Sequence, residues 1–134
     1  MREILFKAKR TDNGEWVEGH LVKGTNYYNQ EPMTAIMPVY VEFLEMCEIS
    51  EYEIVDPETI CQYTGMTDKN GKKIWEHDKC EVYRFCVFAC GTIKFLEGCF
   101  CFVEDGTGNI LRLCDIRTNN YEIKVVGGMD DGQK

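Results

Sequence analysis

Short stretches that alternate apolar and polar residues, each closed by a glycine-bearing turn, recur along almost the whole chain. A period of two puts successive side chains on opposite faces of an extended segment, whereas a helix needs a period near 3.6. Glu3 to Ala8 is the first such run; Thr11-Asp12-Asn13-Gly14 turns it, and Glu15 to Val22 returns with Trp16 and Val17. Asn-Gly supplies the positive φ that a tight hairpin demands. Further on, Ile60 to Thr64 and Lys73 to Trp75 flank the turn Asp68-Lys69-Asn70-Gly71. Cys80 to Phe88 reads as one strand, and Thr92 to Leu96 pairs with Cys99 to Val103 across Glu97-Gly98. Asp105-Gly106-Thr107-Gly108-Asn109 leads into a strand from Ile110 to Cys114, and Tyr121 to Val126 is the last strand before a polar tail over 127–134. Many closely spaced strands and no long helix imply a small all-β barrel or sandwich.

The segment after the first hairpin is less regular. Lys23 to Gln30 reads as a polar loop. In Pro32 to Cys47, Ile36, Tyr40 and Leu44 have helical spacing, but Val39-Tyr40-Val41 favours a strand and Pro38 interrupts any continuous helix. A strand is the better reading, with a helical turn near Phe43 to Cys47 as the alternative. Tyr52-Glu53-Ile54-Val55 alternates and stops at Asp56-Pro57, where proline leaves the strand ladder. This is the best internal boundary, separating 1–56 from 57–134 without requiring two independent domains. At 134 residues the chain fits a single domain with its own core.

Charge narrows the function. Lys and Arg number 15 and Asp and Glu 23, a net charge of −8. Phosphate backbones reward cations through counterion release, so nucleic-acid binding is disfavoured. The basic clusters Lys7, Lys9, Arg10 and Lys69, Lys72, Lys73 read as solvated strand ends and turns. An acidic surface suits solubility or a basic protein partner. No stretch reaches the ~20 apolar residues of a membrane span. The first residues lack the apolar run of a signal peptide. The expectation is a soluble, cytoplasmic protein.

There are eight cysteines: Cys47, Cys61, Cys80, Cys86, Cys90, Cys99, Cys101 and Cys114. With no export signal they read as reduced thiols. The close spacings, Cys86-x₃-Cys90 and Cys99-x-Cys101, lack the paired Cys-x₂-Cys knuckles of structural zinc and sit in apolar runs. There a free cysteine packs as a small hydrophobe. No metal and no cofactor is expected.

Chemistry is sparse elsewhere. His20 has no acid or nucleophile beside it in sequence. His77 lies between Glu76 and Asp78, but adjacent residues on extended backbone point to opposite faces and converge only at a sharp turn. Gly106-Thr107-Gly108 joins two strands, where a phosphate cradle would open a helix. Tyr27, Tyr28, Tyr40, Tyr63 and Trp75 are aromatics that could pack a core or line a peptide groove.

One long run carries a resemblance. Thr59, Ile60, Gln62, Tyr63, Thr64, Gly65, Asp68, Lys69, Asn70, Gly71, Lys72, Ile74, Glu76 and Asp78 fall in register with the central pattern of the YopX-like family of phage and prophage proteins. Met1-Arg2-Glu3-Ile4, Gly91-Thr92-Ile93, Gly98-Cys99-Phe100 and Tyr121-Glu122-Ile123 with Val126-Gly127 are similar to flanking parts of that pattern. The chain departs from it at Cys61 and His77, which stand where the family has glycine, and at Lys79-Cys80. Histidine is among the better-tolerated residues at a positive φ. The resemblance implies an all-β fold with an SH3-like barrel, here over 57–126. Residues 1–56 would add N-terminal strands, and the chain would come from a phage or another mobile element. It supplies no catalytic residue.

The expected function is therefore a non-enzymatic interaction module. Its candidate surface is Gln62, Tyr63, Thr64, Trp75, Glu76, His77 and Asp78, and its partner is another protein or a second copy. Met33-Thr34-Ala35-Ile36-Met37 is a candidate patch for such a copy. Nucleic-acid binding is the alternative, and an enzyme built on Glu76, His77 and Asp78 stands third.

Overall fold

The computed structural model describes residues 3–25, 28–38, 52–84 and 87–128. The chain forms two compact units, Met1–Gln62 and Tyr63–Lys134.

The first unit is built from hairpins. Strand β1 (Phe6–Lys9) runs antiparallel to β2 (Trp16–Thr25), with Ala8 opposite Val17. The turn closes as its Asn-Gly signal requires. The Arg10 N–H donates to the Glu15 carbonyl, the Glu15 N–H to the Asn13 side chain, and Gly14 takes φ +72°. Strand β3 (Pro32–Pro38) lies on the other side of β2, with Leu21 opposite Ile36, and β4 (Glu53–Ile54) lies beyond β3. The first residues of β5 (Cys61–Thr67) pair with β1, Gln62 opposite Phe6. Ala8, Ile36 and Val55 form the core, with Phe6, Val17, Leu21 and Ile60 around them. Asp56 accepts from the Glu58 N–H and caps a 3-10 turn at Pro57–Thr59.

Two expectations change here. Lys23 to Thr25 is strand, because β3 supplies Thr34, Met33 and Pro32 as ladder partners for this polar stretch. Ala35, Ile36 and Met37 are buried within the chain, which leaves Met33 and Thr34, both half-buried, as the accessible part of this run. The strand reading of Pro32 to Cys47 holds as far as Pro38; the rest, with its helical alternative, lies outside the described residues.

The second unit contains the rest of β5 with its partner β6 (Lys73–Trp75), and one larger sheet. That sheet comprises β7 (Lys79–Arg84), β8 (Val87–Leu96), β9 (Cys99–Glu104), β10 (Ile110–Arg112) and β11 (Glu122–Gly127). Its order is β10-β9-β8-β7-β11, all antiparallel. A short helix, α1 (Leu113–Thr118), precedes β11. Ile74, Cys80, Val82, Ile93, Phe102, Leu113, Ile116, Ile123 and Val125 form the core.

Three sequence expectations are corrected in this unit. Cys80 to Phe88 is not one strand: Arg84 pairs with Val87, so the chain reverses between them with no glycine or proline to announce it. The strand expected to reach Cys114 stops at Arg112, because Leu113 and Ile116, three apart, are buried on one side of α1. Among the described residues the sheet is open, with β10 and β11 as its edges, so the all-β expectation holds as mainly β and no barrel is closed.

Close backbone approach sets the register of both sheets. A Cβ at Gly19 would overlap the Met37 carbonyl, and one at Gly91 would overlap the Val103 carbonyl and crowd the Phe102 ring. Glycine in a strand interior often marks such an approach. Gly91→Ala is expected to cost about 3 kcal/mol, the upper range for forcing a methyl into a packed site. A urea titration checks this; a loss below about 0.5 kcal/mol, the scale of a neutral surface change, would contradict it.

Candidate functional site

Three polar side chains of the run Thr59 to Asp78, those of Thr64, Asp68 and Asp78, bond to the run's own backbone. Thr59 accepts from the Lys9 N–H at 2.9 Å. Between β5 and β6 the register slips, with Tyr63 opposite Trp75 and Thr67 opposite Lys73, so β5 carries an irregular excursion. Gly65 takes φ +88° there. The Thr64 hydroxyl bridges the excursion: it donates to the Ile74 carbonyl at 2.8 Å and accepts from the Met66 N–H at 3.2 Å. A side-chain hydroxyl can replace ladder partners where a strand bulges.

The turn that follows is held by Asp68, which is buried. Its Oδ1 accepts from the Asn70 and Lys72 N–H groups at 2.9 Å each, and its Oδ2 from the Val125 N–H at 2.9 Å. The Lys69 N–H donates to the Ile123 carbonyl alongside. Burial pushes the Asp68 carboxyl up, but the three backbone donors, from Val125, Lys72 and Asn70, together with the Lys72 charge, outweigh it and leave the carboxyl below its ordinary value. One side chain thus fastens a hairpin turn to the final strand. Sequence reasoning reads this aspartate as a turn residue and misses its second partner, 57 positions away.

A second turn is built the same way. The Asp78 N–H donates to the Trp75 carbonyl at 3.1 Å, and the Trp75 N–H donates back to Asp78 Oδ2 at 2.9 Å. The His77 N–H donates to the Ile93 carbonyl, and the Ile93 N–H to the Asp78 carbonyl. His77 sits at φ +74°, the left-handed conformation for which glycine is the usual residue.

The seven candidate residues do not form one exposed surface. Tyr63, Thr64, Trp75 and Asp78 are buried, and the Tyr63 and Trp75 rings lie against each other at 5.5 Å. Gln62 is half-buried on β5. Glu76 and His77 reach solvent, with His77 Nε2 4.0 Å from Glu76 Oε2. Asp78 is turned to the backbone, so the three do not converge as an acid–base group. Of the other aromatics, Tyr28 is exposed, and Tyr27 and Tyr40 lie outside the described residues.

The described thiols vary in character. Burial, with the Asp78 and Asp68 charges, pushes the Cys80 thiol up to about 12, and Cys61 is also buried. The Cys80 thiol is therefore no nucleophile at neutral pH. Cys90 and Cys114 are exposed. Among the described residues no three His, Cys, Asp or Glu side chains gather closely enough to hold a metal.

These geometries generate two tests. Asp68→Ala leaves three N–H groups without their acceptor and is expected to lower stability by about 3 kcal/mol, the scale of losing charge-assisted hydrogen bonds. Because the folded carboxyl titrates below its ordinary 3.8, its stabilisation is complete above that pH and fades as pH falls through the folded value. Acid melts should therefore show the wild type losing more stability below about pH 4 than Asp68→Asn does; parallel losses would contradict this. His77→Gly is expected to raise stability by about 1 kcal/mol by relieving the left-handed conformation, checked by thermal melting, whereas a destabilised variant would mean that the imidazole itself holds the turn.

No curated protein and no solved structure matches the chain. Among the described residues no helix is long and apolar enough to cross a membrane. The model of one family, described as YopX protein, matches residues 5–129, which takes in the run, both of its turns and the eleven strands of the described residues. The chain belongs to the YopX protein family.

Proposed function

We propose that this chain is a non-enzymatic protein-interaction module of a phage or prophage, acting in the bacterial cytoplasm and binding a protein partner or a second copy. The observation that carries the reading is the division of labour in the second unit. Thr64, Asp68 and Asp78 of the polar signature are turned to backbone in the interior, while large apolar side chains stay exposed on the sheet. Val87 is 63 % exposed, Phe88 57 % and Ile110 60 %. An open groove of about 300 Å³ includes Ile110, with Val82, Ala89, Phe102 and Leu111 among its apolar walls and Arg84 and Glu104 beside them. Apolar walls with a few charged groups suit a peptide or protein surface.

The strand succession supports an SH3-like reading of this unit. Four strands meander from β7 to β10, a short helix follows, and β11 returns beside β7. Such a succession fits an SH3-like fold whose sheet is open among the described residues. Folds of this kind host many functions, so the site and not the fold carries the proposal.

A second reading, nucleic-acid binding, rests on one spot in the first unit. Lys7 Nζ lies 4.8 Å and Lys9 Nζ 5.7 Å from the centre of the Trp16 ring. Cations around an aromatic plane suit stacked bases. The net charge of −8 opposes it.

Sedimentation velocity over a wide concentration range, with Ile110→Asp as the comparison, tests the first reading. Self-association that the variant weakens at least about tenfold, or a partner from host lysate retained by the wild type and released by the variant, is expected. A monomer with identical retention by both proteins would contradict it. Tight, salt-dependent binding of a single-stranded oligonucleotide, lost in Trp16→Ala, would replace it with the second reading.

A further inference from the structure

Cys99 and Cys101 are two apart on β9, so their side chains leave the same face of the strand. Their sulfurs stand 3.7 Å from each other. Leu96 lies opposite Cys99, and Lys94 and Arg112 flank Cys101 on the neighbouring strands. Both thiols line an open groove of about 440 Å³ together with Leu96, Glu97, Ile110 and Arg112. Cys99 is half-buried and Cys101 buried. The pair thus has a floor, walls and access from solvent.

The separation discriminates between the things two thiols can do. A disulfide needs sulfurs at about 2.05 Å, so the two side chains would have to close the 3.7 Å gap. A single bridging atom fits the gap as it stands. Two metal–sulfur bonds of about 2.3 Å spanning the 3.7 Å gap subtend roughly 107°, close to the tetrahedral angle. A soft cation displaces the thiol proton as it binds.

We propose that Cys99 and Cys101 form a two-sulfur site for a soft, tetrahedrally coordinated divalent cation of the zinc class. Binding forms two metal–sulfur bonds, displaces two waters from the hydrated ion and releases two protons to solvent, with no change of oxidation state. No third protein ligand completes the set among the described residues. The remaining two positions therefore go to water or to donors from another molecule, unlike the closed four-ligand centres of structural zinc. The strand expected over Cys99 to Val103 already places both side chains on one face; the sulfur separation is what the structure adds.

Cadmium is the probe, titrated into the intact, phosphine-reduced protein while the sulfur-to-cadmium charge-transfer absorption is followed. The first equivalent is expected to bind with that absorption in the wild type, in Cys90→Ser and in Cys114→Ser. Cys99→Ser and Cys101→Ser should each weaken it at least about tenfold. If the buried Cys101 site does not tolerate serine, the half-buried Cys99→Ser decides alone. Absorption missing from the wild type, surviving undiminished in Cys99→Ser, or lost instead in Cys90→Ser or Cys114→Ser, overturns the proposal.

Discussion

One carboxylate organises the second unit. Asp68 gathers the N–H groups of Asn70, Lys72 and Val125, each at 2.9 Å, around a buried side chain. Burying a carboxylate is costly unless donors compensate, and three backbone donors do so here. The arrangement fixes the Asp68–Gly71 turn and at the same time the height of β11, which must meet β7 with Val125 opposite Cys80. Beside it, the Lys69 N–H adds a backbone bond to Ile123. The residues brought into register by this contact, Ile123 and Val125, are themselves members of the hydrophobic core. A polar pin and an apolar core therefore depend on each other.

Asp78 repeats the device on a smaller scale. It binds the backbone of its own turn, and the backbone around it reaches Ile93 in the centre of the sheet. The histidine between Glu76 and Asp78 is placed by conformation: it fills a left-handed position without closing a catalytic group. A dense string of Gln, Tyr, Thr, Trp, Glu, His and Asp thus resembles an active site in composition while its geometry is that of two buttressed turns and a bulge.

How much of this was legible depended on whether the cause was local. The turns at Asn13-Gly14, Asp68–Gly71 and Glu97-Gly98 could be read because the chemistry of each turn lies within it; Gly14, Gly71 and Gly98 all take positive φ. The reversal between Arg84 and Val87 left no such mark in a continuous apolar run. Helix α1 is six residues long, and only burial of Leu113 and Ile116 by the sheet distinguishes it from a continued strand. The burial of Tyr63 and Trp75 was open in the sequence, since aromatics serve cores and surfaces alike. The Asp68–Val125 contact was illegible, because nothing near either residue names the other. The strand over Cys99 to Val103 was legible, but the 3.7 Å between its two sulfurs was not, because side-chain torsions are not written in the spacing.

The family signature is, on this account, a folding element. Native-state amide hydrogen exchange tests that claim most directly, because it reports the free energy needed to open each hydrogen bond. The account predicts that the amides of Lys72, Trp75 and Val125 exchange as slowly as those of the core strands, opening only with the whole second unit. Fast exchange at these three amides, with the core strands still protected, would show the signature to be a loosely held surface loop and would contradict the account.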